Sequence, residues 1–254
     1  MLRFVVPEGV DRPRVTRLDV TESTNDDAKR GAREGAPHAS VWIAESQTKG
    51  RGRQGRTWVS PRGENLLFSV LLRIACPPMR VPPLALVAGL AVRDAVARAL
   101  GEDGRVKVKW PNDVLVDGKK VAGVLVESAL SGGRVEYVVV GAGVNVQTRV
   151  FPHELADIAT SISLAARADA PPPDREALLA DILEGIHHDA KHVAHRGLGL
   201  VAARLAKHDA LAGRRVAGDD VSGIAAGIAE DGRLRVSRND GVIVTVASGE
   251  VRIC

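Results

Sequence analysis

Cysteine is scarce in this chain: Cys76 and Cys254 stand alone, far apart, without the spacing of a metal-ligand pair. Two thiols so placed exclude a cysteine-built metal site and fit a reduced, cytoplasmic protein in which they are bystanders. Long apolar runs are missing too. The longest lies near 84–92, is broken by Arg93 and Asp94, and is too short to span a bilayer. The opening MLRFVVPEGVDRPR has no extended apolar core and so does not read as a secretion signal. There is no basic tail, no internal repeat and no low-complexity segment. The net charge is +4, but 35 basic residues are scattered among 31 acidic ones, which argues only weakly for nucleic acid. These absences predict a soluble cytoplasmic protein with neither a membrane nor a nucleic acid as partner.

What is present is an ordinary globular composition, 45% hydrophobic and 26% charged over 254 residues, enough for one large domain or one domain with a small appendage. A short strand at 15–20 leads into a helix whose N-terminus is marked by Ser23 or Thr24 followed three positions on by an aspartate, running to about Gly35. Buried strands are expected at 41–44 and 65–72. Pro82 and Pro83 open a helix to Leu100, with Gly101 placed to end it. The segments 106–110, 114–116, 119–127 and 135–140 read as meandering strands, with Asp117-Gly118 as a two-residue hairpin turn. Strands of this kind with a few long helices predict an α+β fold around a mostly antiparallel mixed sheet flanked by helices. A further helix spans about 174–195, with Leu179, Ile182, Ile186 and Val193 on one face. His188, His192 and His195 lie on its opposite, solvated face, spaced for a metal but lacking a carboxylate-rich partner. From Gly213 the texture changes to short alternating strands, the pattern of a small five-stranded barrel.

Four constellations carry chemistry, each beside an expected strand end. Gln47 to Trp58 holds Gly50, Gly52 and Gly55 among Arg51, Arg53 and Arg56. Glycine this dense makes a mobile loop whose backbone can approach a ligand. If it is extended, Arg51 and Arg53 fall on one side as an anion clamp. A solvated linker or a nucleic-acid-binding RG segment remain alternative readings. Ser23-Thr24-Asn25 is otherwise a plain helix cap. Lys109-Trp110-Pro111-Asn112-Asp113 with Lys120 is either a turn with solvent-facing lysines or a holder for a phosphate and its magnesium. Gly141-Ala142-Gly143 with Asn145 is either a bulge or a place of close backbone approach.

In this order, Ser-Thr-Asn, GRGRxGRxW, KWPND, KxAGxLxE and GxGxNV resemble the catalytic core of biotin protein ligases over about 17–165. The C-terminal strands resemble that family's SH3-like domain. The resemblance implies a class II synthetase-like catalytic domain over 1–210 and the small barrel over 211–254. It implies ATP, Mg2+ and biotin as the reactants, and the biotin carboxyl carrier domain of a carboxylase as partner, and it is compatible with a homodimer. The family motifs begin at Ser23, so the helix-turn-helix domain of the repressor members, and DNA-operator function with it, is not expected. Carried over residue by residue, it implies biotin contacts from Ser23, Thr24, Gln47, Gly50, Arg51, Lys120, Gly123 and Gly141. Nucleotide contacts would come from Arg53, Arg56, Trp58, Lys109, Asn112, Ala142 and Asn145. Arg53, Lys120, Lys109 and Asp113 would serve the reacting groups, with Asp113 as the magnesium ligand. A lipoate ligase would share the fold and the acyl-adenylate chemistry, but GRGRxGR together with KWPND is not expected there.

Overall fold

The computed structural model describes residues 13–218 and 220–254, so the reading of the first fourteen residues falls almost wholly outside them. β1 (Val15–Thr21), α1 (Thr24–Arg33), β2 (Val41–Gln47) and β3 (Leu66–Leu72) come first, followed by α2 (Leu84–Leu100). β4 (Val106–Lys109), β5 (Asp113–Val116), β6 (Lys119–Ser131) and β7 (Arg134–Val144) complete a seven-stranded sheet in the order β1-β2-β3-β7-β6-β5-β4. Only β1 and β2 run parallel; every other pair is antiparallel. The sheet is thus mixed and mostly antiparallel, as the hairpin signals required. Asp117 (φ 50) and Gly118 (φ 82) both take the left-handed conformation that a two-residue turn between β5 and β6 demands.

The two faces of the sheet are covered differently. On one lie α2 and α4 (Arg175–Arg196), introduced by the short α3 (Ile162–Ala165) and followed by α5 (Ala202–His208). α2 is apolar nearly all round because it is buried between the sheet and α4, and its Leu84, Leu90, Val92 and Val96 are almost wholly inaccessible. Leu179, Ile182, Ile186 and Val193 of α4 are buried as their spacing predicts. His188 and His195 are exposed, and His188 Nδ1 sits 2.8 Å from Asp189 Oδ1. Among the described residues no group of three or more potential metal ligands assembles. Among the described residues the other face carries one helix, α1, which packs Ala28 and Ala32 over Trp42, Leu71, Tyr137 and Val139. Because α1 is short, the sheet beyond its N-terminus is left uncovered for a cavity.

The C-terminal strands are β8 (Arg215–Ala217), β9 (Ser222–Ile228), β10 (Leu234–Ser237), β11 (Ile243–Val246) and β12 (Arg252–Ile253). They form a five-stranded antiparallel sheet in the order β11-β10-β9-β8-β12, with no ladder closing β11 onto β12 among the described residues. Four of these strands, β8 to β11, fall among the short alternating strands expected after Gly213, whereas β12 is not foreseen there, and the sheet is open at that edge. Val216, Ala225, Leu234, Val236 and Val251 join the same apolar cluster as α2 and the main sheet. Trp110 Nε1 donates to Gly232 O at 2.9 Å across that junction.

Candidate active site

The register of the main sheet lays out the site. Lys109, Asp113, Gly123 and Gly143 form one row across β4, β5, β6 and β7, and Ser69, Gly141 and Leu125 lie side by side in the neighbouring row. Where the rows have glycine, there is no side chain on the α1 face, and a cavity of about 980 Å³ opens there. Its walls are the start of α1, the 47–61 loop, the 109–113 turn and the segments 150–159 and 249–253. Every site residue named from the sequence lines it except Gly50. Gly50 instead accepts a hydrogen bond from Trp58 N at 2.9 Å, and a Cβ there would stand 2.6 Å from Trp58 O. Its role is to close the loop on itself.

One end of the cavity is cationic. Lys120 Nζ lies 2.7 Å from Asp113 Oδ1 and 5.5 Å from the centre of the Trp58 ring. Lys120 reaches this face because the β5–β6 register shifts: Val114 pairs with Ala122, but Leu115 pairs with Lys120, leaving Val121 as the extra residue. Such a bulge re-aims the side chains before it to the opposite face. Arg53 is half-buried, with Nη1 3.4 Å from Asn112 Oδ1, and loss of solvent pulls its guanidinium below its usual pKa. Lys109, in the same row as Asp113, forms no ion pair among the described residues. Arg56 reaches across to Glu250 of the C-terminal unit, which the guanidinium holds below the usual carboxylate range. Asn112 Nδ2 donates to Val124 O at 2.7 Å, and Asn145 Nδ2 to Thr160 O at 3.1 Å. Both amides therefore brace the walls as well as line them.

The arginine loop is not extended. Arg51 bridges to Thr57, and a tight turn at Arg53–Gly55, with Gln54 at φ 56, reverses the chain. Arg51 and Arg53 accordingly point apart rather than to one side. Arg51 is held by Asp26 of α1, Nη2 to Oδ1 at 2.7 Å, while Arg53 faces the 112 turn. The Trp58 indole lies over the two glycines of the first row, since a Cβ on Gly143 would meet Trp58 Cε2 at 2.5 Å. Its buried Nε1 has no hydrogen-bond partner among the described residues.

The other end is neutral and polar. Thr24 N donates to Gln47 Oε1 at 2.8 Å, and Thr24 Oγ1 stands 3.1 Å from the same oxygen. Ser23 occupies the N-cap position of α1, but its hydroxyl makes no capping bond, which leaves it for other partners. Behind Thr24 lie Ser69, Asn25 and Glu127, all hydrogen-bonded in series. Sequence reading passed over Ser69 and Glu127 as site residues. Ser69 was detectable as the lone polar residue of the otherwise apolar β3. Also missed were the wall segment with Val150, Phe151 and Ile158, and Glu250 with Arg252 at the mouth. The exposure of Val150 (82%) and Ile158 (61%) marks that wall once the fold is known.

The only carboxylate in the cationic end from the sequence-derived set is Asp113, already paired with Lys120. Asp157 and Glu250 also line the cavity, but no three potential ligands come together among the described residues, which suits Mg2+ arriving with a triphosphate and keeping most of its waters rather than a resident all-protein metal site.

Residues 18–145 match the Biotin/lipoate A/B protein ligase family, and residues 213–253 match the Biotin protein ligase C terminal domain. The chain is 40% identical over 167 residues to the bifunctional ligase/repressor BirA of Bacillus subtilis, covering 65% of this chain and 51% of that protein. The chain thus spans about half the length of this relative. It is 37% identical over 248 residues to a biotin--[acetyl-CoA-carboxylase] ligase of Mycobacterium tuberculosis, covering 92% of this chain and 88% of that one. Its fold superimposes with a TM-score of 0.79 on the biotin protein ligase of Aquifex aeolicus in complex with biotin and ATP, at 29% identity, covering 95% of this chain and 99% of that chain.

Proposed function

The chain belongs to the biotin/lipoate A/B protein ligase family, and from that premise we propose that it attaches biotin to protein. The biotin carboxylate attacks the α-phosphorus of MgATP, giving biotinyl-5′-AMP and pyrophosphate. A lysine amine of a biotin carboxyl carrier domain then attacks the acyl carbon, AMP leaves, and the amine gives up its proton. The observation that carries this reading is a single cavity with two unlike ends, a neutral hydrogen-bonding wall at Thr24 and Gln47 and a cationic end at Lys120, Arg53 and Lys109.

No protein nucleophile is needed for this chemistry, only the approach of two anions and stabilisation of the charge that develops between them. Ser23, Thr24 and Gln47 bind the ureido ring, and Gly123 and Gly141 let the sheet backbone approach it. Lys120 and Arg51 serve the carboxylate. Arg53, Arg56, Trp58, Asn112, Ala142 and Asn145 surround the nucleotide, and Lys109 meets its phosphates. Mg2+, when bound with ATP, neutralises phosphate charge, and Asp113 is the residue that would hold it. We assign the cavity to residues 1–210 and a closing role at its mouth to residues 211–254, through Glu250 and Arg252. Two free thiols favour the cytoplasm as its compartment.

The test is incubation of the full chain with labelled biotin, MgATP and a carrier domain. Label bound to a carrier lysine through an amide is the expected result, and labelled lipoate should not replace biotin. Absence of both carrier labelling and biotin-dependent pyrophosphate release would overturn the proposal.

A further inference from the structure

Behind the ring-binding wall a file of side chains runs inward from Thr24 to Glu127. Glu127 Oε1 accepts from Lys29 Nζ at 2.9 Å, and Oε2 accepts from Asn25 Nδ2 at 2.7 Å. Asn25 is 4% exposed, and its Nδ2 also faces Leu125 O at 3.4 Å. Asn25 Oδ1 stands 2.6 Å from Ser69 Oγ, which is fully buried and 2.8 Å from Thr24 Oγ1. Burial alone would raise the Glu127 carboxyl, but its bonds from Lys29 and Asn25 outweigh that and hold it below the usual carboxylate range.

An ionised carboxylate only accepts hydrogen bonds, so Asn25 has to turn its NH2 towards Glu127 and its carbonyl towards Ser69. A carbonyl cannot donate, so the single Ser69 hydrogen goes to Asn25. Ser69 Oγ can then only accept from Thr24. The Thr24 hydrogen therefore points inward to Ser69, and its lone pairs are left for the cavity. Gln47, with Oε1 committed to Thr24 N, has only its NH2 left to offer. The wall consequently displays one acceptor and one donor, the complement of the N–H and C=O of a cyclic urea.

We propose that Glu127 is a positioning residue that sets the hydrogen-bond polarity of this wall through Asn25 and Ser69. The inference rests on the proposed function for the identity of the ring. Its distinctive consequence lies in Glu127→Gln. Lys29, which also holds Asp26 Oδ1 at 2.8 Å, and Asn25 both donate to Glu127, with Arg51 Nη2 3.6 Å from Oε2, and a glutamine side chain has one oxygen to share among them. With that oxygen on Lys29, the glutamine NH2 faces Asn25, which must flip, and the file reverses as far as Thr24.

Biotin titration by calorimetry on the full chain compares the unaltered protein with E127Q, K29M and K29M/E127Q. E127Q should weaken biotin by about tenfold or more, the order expected for mismatching a buried hydrogen bond. The rate at saturating biotin should change little. K29M alone should bind biotin much as the unaltered protein does. K29M/E127Q should recover most of the lost affinity, because without Lys29 the glutamine oxygen is free to face Asn25. A merely structural role predicts no such rescue. Proton NMR gives a ligand-free measurement: the Asn25 NH2 should contact the Leu125–Glu127 side in the unaltered protein and Ser69 in E127Q. Unchanged biotin affinity in E127Q, weakened affinity that K29M does not restore, or an Asn25 amide that stays in place would each overturn the inference. If the unaltered protein binds no biotin, the proposed function falls, and the amide contacts alone decide the role of Glu127.

Discussion

Alanine at Gly141 and alanine at Gly143 add the same methyl group to the same face of β7, yet the structure separates their consequences. A Cβ on Gly141 would stand 2.9 Å from Asn25 Cγ and closer still to Oδ1. Asn25 cannot yield easily, since it is in the first turn of α1 and bonded to both Glu127 and Ser69. Overpacking of this kind costs about 1–3 kcal/mol, and losing the charge-assisted bond to Glu127 adds about 1.5–3 kcal/mol. Removing a glycine from the unfolded chain returns about 0.4–1 kcal/mol. The net expectation for Gly141→Ala is a loss of about 2–5 kcal/mol. At Gly143 the new carbon would meet Trp58 Cε2 at 2.5 Å, but Trp58 belongs to a loop and can swing away. Gly143→Ala should therefore stay within about 1 kcal/mol of the parent. Urea unfolding followed by far-UV circular dichroism measures both, with the slopes compared to confirm that the same surface is exposed. Equal stabilities for the two variants would refute the claim that Asn25 is rigidly held and Trp58 is not.

Lys120→Ala should abolish adenylate formation by about 10²–10³-fold or more, through loss of a placed charge. Because Lys120 and Asp113 are both partly exposed, stability should change by less than about 1 kcal/mol. Near-normal biotin-dependent pyrophosphate exchange in that variant would refute the role. Stability should also fall on mild acidification. Burial is the chief cause lowering His38, with His187, Lys191 and Arg73 adding to it, and its Nδ1 accepts from Arg73 N at 3.0 Å. Burial likewise lowers His208, helped by Arg93, Lys207 and Lys107 and opposed by Asp103. Both have folded pKa values below the unfolded 6.5, so the unfolded chain takes up protons first as pH falls. Their contribution is complete above that value and is lost below it, at a slope of at most about 1.4 kcal/mol per pH unit for each histidine. Chemical unfolding between neutral pH and pH 5 reads this, and His38→Gln should flatten the curve. A curve as steep in that variant as in the parent would show that His38 does not contribute.

Much of the main sheet was legible because its signals are local. Asp117-Gly118 can hardly be anything but a hairpin turn, and the apolar runs of β3 and β7 leave little choice but burial. The arginine loop was legible in composition and not in shape. Periodicity places Arg51 and Arg53 together only if the chain stays extended, and the turn at Gln54 depends on contacts with Thr57 and Trp58. Ser69 and Glu127 escaped notice as site residues because their meaning comes from Asn25, on another element. Glu250 escaped because its partner, Arg56, is far away in the chain.

The order of the motifs and the residue types within them carried, through the family they resemble, the expectation of an anion-handling site, since arginine, lysine and bare backbone are what a carboxylate or a phosphate calls for. The tertiary structure alone decided which of those side chains face one another. A shifted register between β5 and β6 turned Lys120 onto the cavity side, and two glycines in facing strands left the floor on which Trp58 lies. Distances across a sheet are set by register and packing, which no single stretch of sequence contains.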